Sequence, residues 1–172
     1  MKQNRIGWRR LLALLLAVCL LGGLAANMFA YEDVIASGTC GAEGDGSNLS
    51  WKFCSDGVLT ITGAGAMKDY RRFVEVAPWL ECLQSYSGKK TLVLDDRITH
   101  IGSYAFHAED GLDLSGELHL PENLISVGDG AFYLCSGLTG TLTLPRGLKT
   151  IGAVAFCNCS SFTGDLILPE GF

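Results

Sequence analysis

Residues 117–140 read ELHLPENLISVGDGAFYLCSGLTG and residues 141–164 read TLTLPRGLKTIGAVAFCNCSSFTG, one motif written twice, the second copy starting where the first ends. Leu118, Leu142 and Leu166 share one position, and Pro121, Pro145 and Pro169 another. Gly128 pairs with Gly152, Phe132 with Phe156, Cys135 with Cys159 and Gly140 with Gly164. Self-similarity at a period of about 20 to 50 residues is the signature of a solenoid, whose unit is too small to bury its own apolar face and must stack on the next. The expected fold is an α/β-type solenoid, mostly β.

Within a repeat, Leu-x-Leu followed by proline reads as a short strand ended by a residue that cannot donate to the ladder. Residues 148–151 (LKTI) read as a second extended piece, Gly152 turns the chain, and Ala155 and Phe156 follow on a single helical turn with the ring filling the space between layers. Each Leu-x-Leu strand is expected to join its neighbours in a parallel sheet. Alternation along it sends Glu117, His119, Thr141, Thr143, Asp165 and Ile167 away from the leucine core. These six are the candidate ligand-facing residues.

Toward the N-terminus the motif degrades. Residues 91–106 (TLVLDDRITHIGSYAF) align with 141–156, but Asp95 stands where later repeats have proline, and the step from Phe106 to Phe132 is longer by two than that from Phe132 to Phe156. Two extra residues therefore sit in HAEDGLDLSG (residues 107–116), where an insertion is expected to emerge as a loop. The expected repeats are 91–116, 117–140, 141–164 and a partial 165–172, which suggests an incomplete copy of a longer array or an end covered by something else.

Residues 37–90 differ from the repeats. LSWKFC (49–54) alternates apolar and polar, Ser55-Asp56-Gly57 signals a turn, and VLTIT (58–62) is β-branched, which predicts a hairpin. Glycines 63 and 65 break it, and Pro78-Trp79 opens a short helix through Leu83. The block is expected to cover one end of the stack, since terminal units are atypical.

The first residues carry a basic Lys2, Arg5, Arg9, Arg10 cluster and an unbroken apolar run (LLALLLAVCLLGGL, 11–24), the pattern of a signal peptide over residues 1–30 cleaved after Ala30 or Ala36. An uncleaved anchor is the alternative, although a membrane span needs about 20 apolar residues. Val18 before Cys19 speaks against a lipoprotein signal. Residues 31–172 suit one domain and hold nine Lys and Arg against 18 Asp and Glu, a net charge of −9. Nucleic acid is excluded as a partner, because phosphate binding needs clustered cations. The membrane enters only through the signal peptide during export.

Six cysteines remain after removal of the signal. Cys135 and Cys159 hold one repeat position between core residues and read as buried small hydrophobes. Cys40 and Cys54 are the candidate disulfide, on the expectation that a hairpin brings them close. Spacing gives catalysis no support: His100, His107 and His119 form no H-x-x-x-H pattern, and Cys157-x-Cys159 lacks a second pair for zinc. Asp45-Gly46-Ser47-Asn48 reads as a polar turn, because the distal Glu of a calcium loop is missing. No cofactor, metal or catalytic residue is expected, and the chain is not expected to be an enzyme.

IGSYAF (101–106), VGDGAFYLCSGL (127–138) and IGAVAFCNCSSF (151–162) resemble the BspA-like leucine-rich repeat family of bacterial surface and secreted proteins, whose units look like L-x-x-I-G-x-x-A-F-x-x-C-x-x-L. SGTCG (37–41), DGVLTITGAGAMKDY (56–70) and APW (77–79) resemble the segment preceding such repeats. The first repeat departs from the pattern, with His107-Ala108-Glu109 and no cysteine. The resemblance implies an extracellular or cell-surface, adhesin-like module that binds a host or envelope macromolecule, protein or glycan. The alternative is a structural spacer of a larger envelope protein with no ligand of its own.

Overall fold

The computed structural model describes residues 33–108 and 114–168. The expected signal segment, half of the expected inserted loop (residues 109–113) and the last four residues lie outside that range. Among the described residues the protein is mostly β with one short helix. The strands are β1 (Val34–Thr39), β2 (Leu49–Cys54), β3 (Val58–Gly63), β4 (Gly65–Ala66), β5 (Thr91–Leu94), β6 (Ile98–Ile101), β7 (Gly116–Glu117), β8 (Ser126–Val127), β9 (Leu138–Thr139) and β10 (Thr150–Ile151), with α1 (Leu80–Ser85) between β4 and β5.

The hairpin read from residues 49–62 forms as antiparallel β2 and β3, with Trp51 opposite Ile61. Asp56 accepts the Val58 amide at 3.0 Å and Gly57 takes φ +85°, the conformation the turn demands. β1 pairs antiparallel with β2, and β3 pairs parallel with β5, so the first repeat's Leu-x-Leu segment adds directly to the hairpin sheet.

A second sheet runs β10-β8-β6-β4, all parallel. Apart from β4, which precedes the repeats, it is built from the second extended piece of each repeat and not from Leu-x-Leu. That corrects the sequence expectation, and the physical reason lies at one residue. In the first repeat Asp95 donates its amide to Ile61 O at 3.0 Å, extending the β5 ladder. Pro121 and Pro145 hold that position later and have no amide to give. There, among the described residues, the Leu-x-Leu segments form no continuous ladder: pairing is confined to β7 with β9 beside them and to the isolated bridges of Gly140 with Phe162 and Thr143 with Ile167.

Register absorbs the longer repeat. His100 and Ile101 lie opposite Ser126 and Val127, and those lie opposite Thr150 and Ile151, although the first step along the chain is the longer one. Beyond this sheet each Gly-x-x-Ala-Phe segment forms turns in place of the expected helical turn. Ala105, Ala131 and Ala155 amides donate to Gly102, Gly128 and Gly152 carbonyls, but the intervening Tyr104, Gly130 and Val154 all take positive φ, which stops a helix. The layers meet here closely. A Cβ on Gly102 would lie 1.9 Å from Lys68 O, and one on Gly128 2.4 Å from Ser103 N. Close approach, more than turning, is what requires glycine.

One apolar core runs from Cys40 to Ala155. Its axis is a column of rings: Trp79 stacks on Phe106 at 5.3 Å, Phe106 on Phe132 at 5.3 Å and Phe132 on Phe156 at 5.2 Å, with interplanar angles of 17°, 19° and 7°. Trp79 thus takes the phenylalanine place one layer early, its indole nitrogen donating to Ala105 O at 3.0 Å. Beside the rings the Cys135 thiol donates to Phe106 O at 2.9 Å and the Cys159 thiol to Phe132 O at 3.0 Å, so each repeat's cysteine ties it to the layer before. Burial pushes the Cys159 thiol up to about 11, which keeps it a neutral donor.

Candidate binding surface

The six residues nominated by alternation are all exposed, with Leu118 and Leu144 buried between them. They are carried on extended chain held by margin pairing. Glu117 lies opposite Thr139 in the β7 and β9 pair, and Thr143 bridges Ile167. Four of the six, Glu117, His119, Thr141 and Thr143, line one shallow groove of about 440 Å³ with Glu122 and Pro145. Asp165 and Ile167 are not part of its lining.

The groove's rim is fixed from the layer before. Asp96 accepts the Glu122 amide at 3.3 Å and its backbone carbonyl accepts the Asn123 side-chain amide at 2.9 Å, holding the turn after Pro121. The Glu117 carboxylate lies 3.7 Å from His119 Nε2, with both side chains largely in water, so the pair holds neither in place. Two carboxylates, one imidazole, two hydroxyls and an apolar floor of Leu118 and Leu120 offer hydrogen bonds and mild acidity to a shallow occupant.

Cys40 and Cys54 are not brought together. The Cys40 amide donates to Leu49 O at 3.0 Å beside the first residue of β2, and Cys54 is the last residue of that strand. At about 3.4 Å per residue the strand separates them by roughly 17 Å, where a disulfide needs Cα atoms within about 7 Å. Both are buried as thiols, and burial pushes Cys40 up to about 12. The hairpin is real, but the two cysteines sit at opposite ends of its shared strand.

His119 is exposed as expected, whereas His107 is buried, its Nδ1 3.2 Å from Tyr104 O. His100 has partners that sequence spacing did not reveal. Its Nδ1 lies 2.7 Å from Ser126 Oγ and its Nε2 3.1 Å from Asp69 Oδ1, which also accepts the Ser103 amide at 2.7 Å. Burial acts to raise Asp69, but the Ser103 amide and His100 outweigh it and hold the carboxyl below its usual range. The order serine, histidine, aspartate is that of a hydrolytic triad, yet the amides of Ile125, just before the serine, and Gly128, two residues after it, are engaged by Thr99 O and Ile101 O at 2.8 Å each. The trio acts as a polar tie across three successive layers. Its signal was present in the register: once Ile101 is set opposite Val127, His100 falls beside Ser126.

No group of three or more His, Cys, Asp or Glu among the described residues is placed to hold a metal ion. No helix among them is long and apolar enough to cross a membrane.

Like segments paired in parallel, with a ring column and a thiol tie recurring at the repeat spacing, define a mostly β repeat protein. The chain belongs to the BspA-type leucine-rich repeat family: the model described as "BspA type Leucine rich repeat region (6 copies)" matches residues 81–171, just over half of the sequence. Among solved structures it is similar to a leucine-rich repeat protein from Eubacterium ventriosum ATCC 27560, at 24% identity and a TM-score of 0.47, over 72% of this chain and 36% of that one. The chain therefore spans about a third of that protein's length. No curated protein matches it. The repeat family suggests a protein-binding module.

Proposed function

We propose that the chain is an extracellular or cell-surface, adhesin-like module. In this reading it is a solenoid in which residues 37–90 close one end and residues 91–172 are the repeats, exported by the signal peptide of residues 1–30. Its exposed face, with Glu117, His119, Thr141, Thr143, Asp165 and Ile167, takes a protein or glycan of a host or envelope. The observation that carries the reading is the groove of about 440 Å³ lined by four of those six side chains, a concavity on a surface nominated from alternation alone. Family membership supports binding over catalysis, and BspA-type repeats are typical of bacterial surface and secreted proteins.

The experiment is a screen of host and envelope proteins and glycans against the immobilised chain and its His119→Glu, Thr143→Arg variant, with circular dichroism as the folding control. Saturable capture that the variant loses while keeping its spectrum is the expected outcome. Capture that survives both changes refutes this face, and no saturable binding at all favours the structural spacer.

A further inference from the structure

We propose that a second cleft, between the turns of residues 41–46 and 71–76, binds an organic cation, the ammonium or guanidinium group of a basic peptide segment. It lies on a different part of the chain from the groove above. The cleft measures about 620 Å³ and its lining includes Asp45, Asp69 and Glu75 against a single cation, Lys68.

The carboxylates are held in place. Asp45 accepts the Ser47 amide at 3.0 Å, and Asp69 accepts the Ser103 amide and faces His100, as described. Glu75 meets Lys68 Nζ at 2.6 Å, and that ion pair shows the chemistry the cleft accepts: an ammonium from the protein itself already stands against one of the acids. With Lys68 occupied by Glu75, two carboxylates face the cleft without a cationic partner of their own from its lining.

Tyr70 supplies an independent observation. The residue is 5% exposed and its ring packs edge-on against Trp79 at 5.9 Å, yet among the described residues its hydroxyl has no hydrogen-bond partner. It lines the cleft, within electrostatic reach of Cys40 and Glu75. The ring is buried while the hydroxyl oxygen keeps contact with solvent, and Tyr70's place in the lining sets that contact on the cleft side. A cationic N–H donor lodged between Glu75 and Asp69 would give that oxygen a hydrogen-bond partner.

The outer wall is strained and apolar. Arg71 and Glu75 exchange backbone hydrogen bonds at 3.0 and 2.9 Å, closing a tight turn in which Phe73 takes φ +65°. Phe73 and Val74 are 76% and 78% exposed, and Val76 continues the apolar surface into the cleft. Among the described residues this left-handed, exposed phenylalanine has the Arg72 guanidinium over its ring at 4.7 Å. Beside an anionic cleft this wall suits the aliphatic stem of a lysine or arginine, whose charged head seeks the carboxylates.

The test titrates the purified chain with capped trilysine at low salt by calorimetry, with capped trialanine as the control. Saturable binding of trilysine alone is expected. Tyr70→Phe keeps the ring packing and is expected to weaken binding roughly two- to ten-fold with an unchanged melting temperature. Glu75→Gln also weakens it. Lys68→Met removes the resident cation and is expected to tighten binding roughly two- to five-fold. Absence of saturable heat, an unaffected Tyr70→Phe or a weakened Lys68→Met overturns the proposal. So does loss of trilysine binding in the His119→Glu, Thr143→Arg variant, which would assign the cation to the other groove.

Discussion

Replacing Phe132 by alanine removes the middle ring of the column. Phe132 is fully buried and stacks on both Phe106 and Phe156. A buried Phe→Ala change costs about 3–5 kcal/mol including the cavity, and the loss of two stacked neighbours places this one toward the upper half of that range. Phe156 offers an internal comparison, since it is only partly buried and stacks on one described ring. Its alanine variant is expected to cost about half as much, roughly 2 kcal/mol. Urea unfolding of the wild-type chain and both variants, followed by circular dichroism with the slopes compared, measures the difference. A Phe132→Ala penalty below about 1.5 kcal/mol, or one no larger than that of Phe156→Ala, would refute the ring column as the axis of the core. Phe132→Leu serves if the alanine variant is too unstable to measure, with an expected cost of about 1–1.5 kcal/mol.

Val154 sits at φ +53° and half exposed, where its equivalent is Gly130, so Val154→Gly is expected to stabilise the chain by about 0.5–1 kcal/mol in the same assay, strain relief exceeding the entropy of glycine. The reverse change, Gly130→Val, drives a Cβ to 2.5 Å from the Tyr104 ring and is expected to lower the melting temperature. Gly102→Ala sets a methyl against Lys68 O, and a cost of at least about 2 kcal/mol is expected, because backbone on both sides must move. Acid should destabilise the fold partly through Asp95, whose carboxyl is held well below the usual range by the Arg97 guanidinium and amide, with burial opposing and the Gly63 amide assisting. A depressed folded-state value gives stability that is present above the unfolded value of about 3.9 and is lost as pH falls toward the folded one. Asp95→Asn should therefore flatten the loss of melting temperature between pH 5 and pH 2, and an unchanged profile would count against the Asp95 contacts.

The repeat was legible because its signals are local. Gly128, Phe132 and Cys135 recur with Gly152, Phe156 and Cys159, and each pair takes the same place in successive layers. The hairpin followed from alternation in residues 49–54 and the Asp56-Gly57 turn. What misled was the leucine pattern: Leu-x-Leu has the composition of a strand, but whether a strand forms depends on amides, and Pro121 and Pro145 remove them. The paired cysteines of the hairpin failed for a related reason, since proximity in sequence around a turn says nothing about which end of a strand each occupies. Alternation nominated six residues, all of them exposed, and four of these line the groove. The cleft at Tyr70 was not, because Asp45, Asp69 and Glu75 meet only through the crossing of two turns that no periodicity announces. The partners of His100 needed a register that the two-residue insertion had shifted.

Unequal repeats nonetheless stack alike. The longer first repeat and the shorter second are joined to their neighbours by the same glycine-to-carbonyl bond, Gly128 N to Ile101 O and Gly152 N to Val127 O at 2.8 Å each. In the sequence the surplus lies between Phe106 and β7, outside the residues that form the sheet counting the layers. Length is thus free to drift in one segment while alignment is kept by another. A gene of this kind can gain, lose or exchange whole units by unequal crossing-over without demanding equal partners, and changes of length can accumulate in that segment while the spine stays in step.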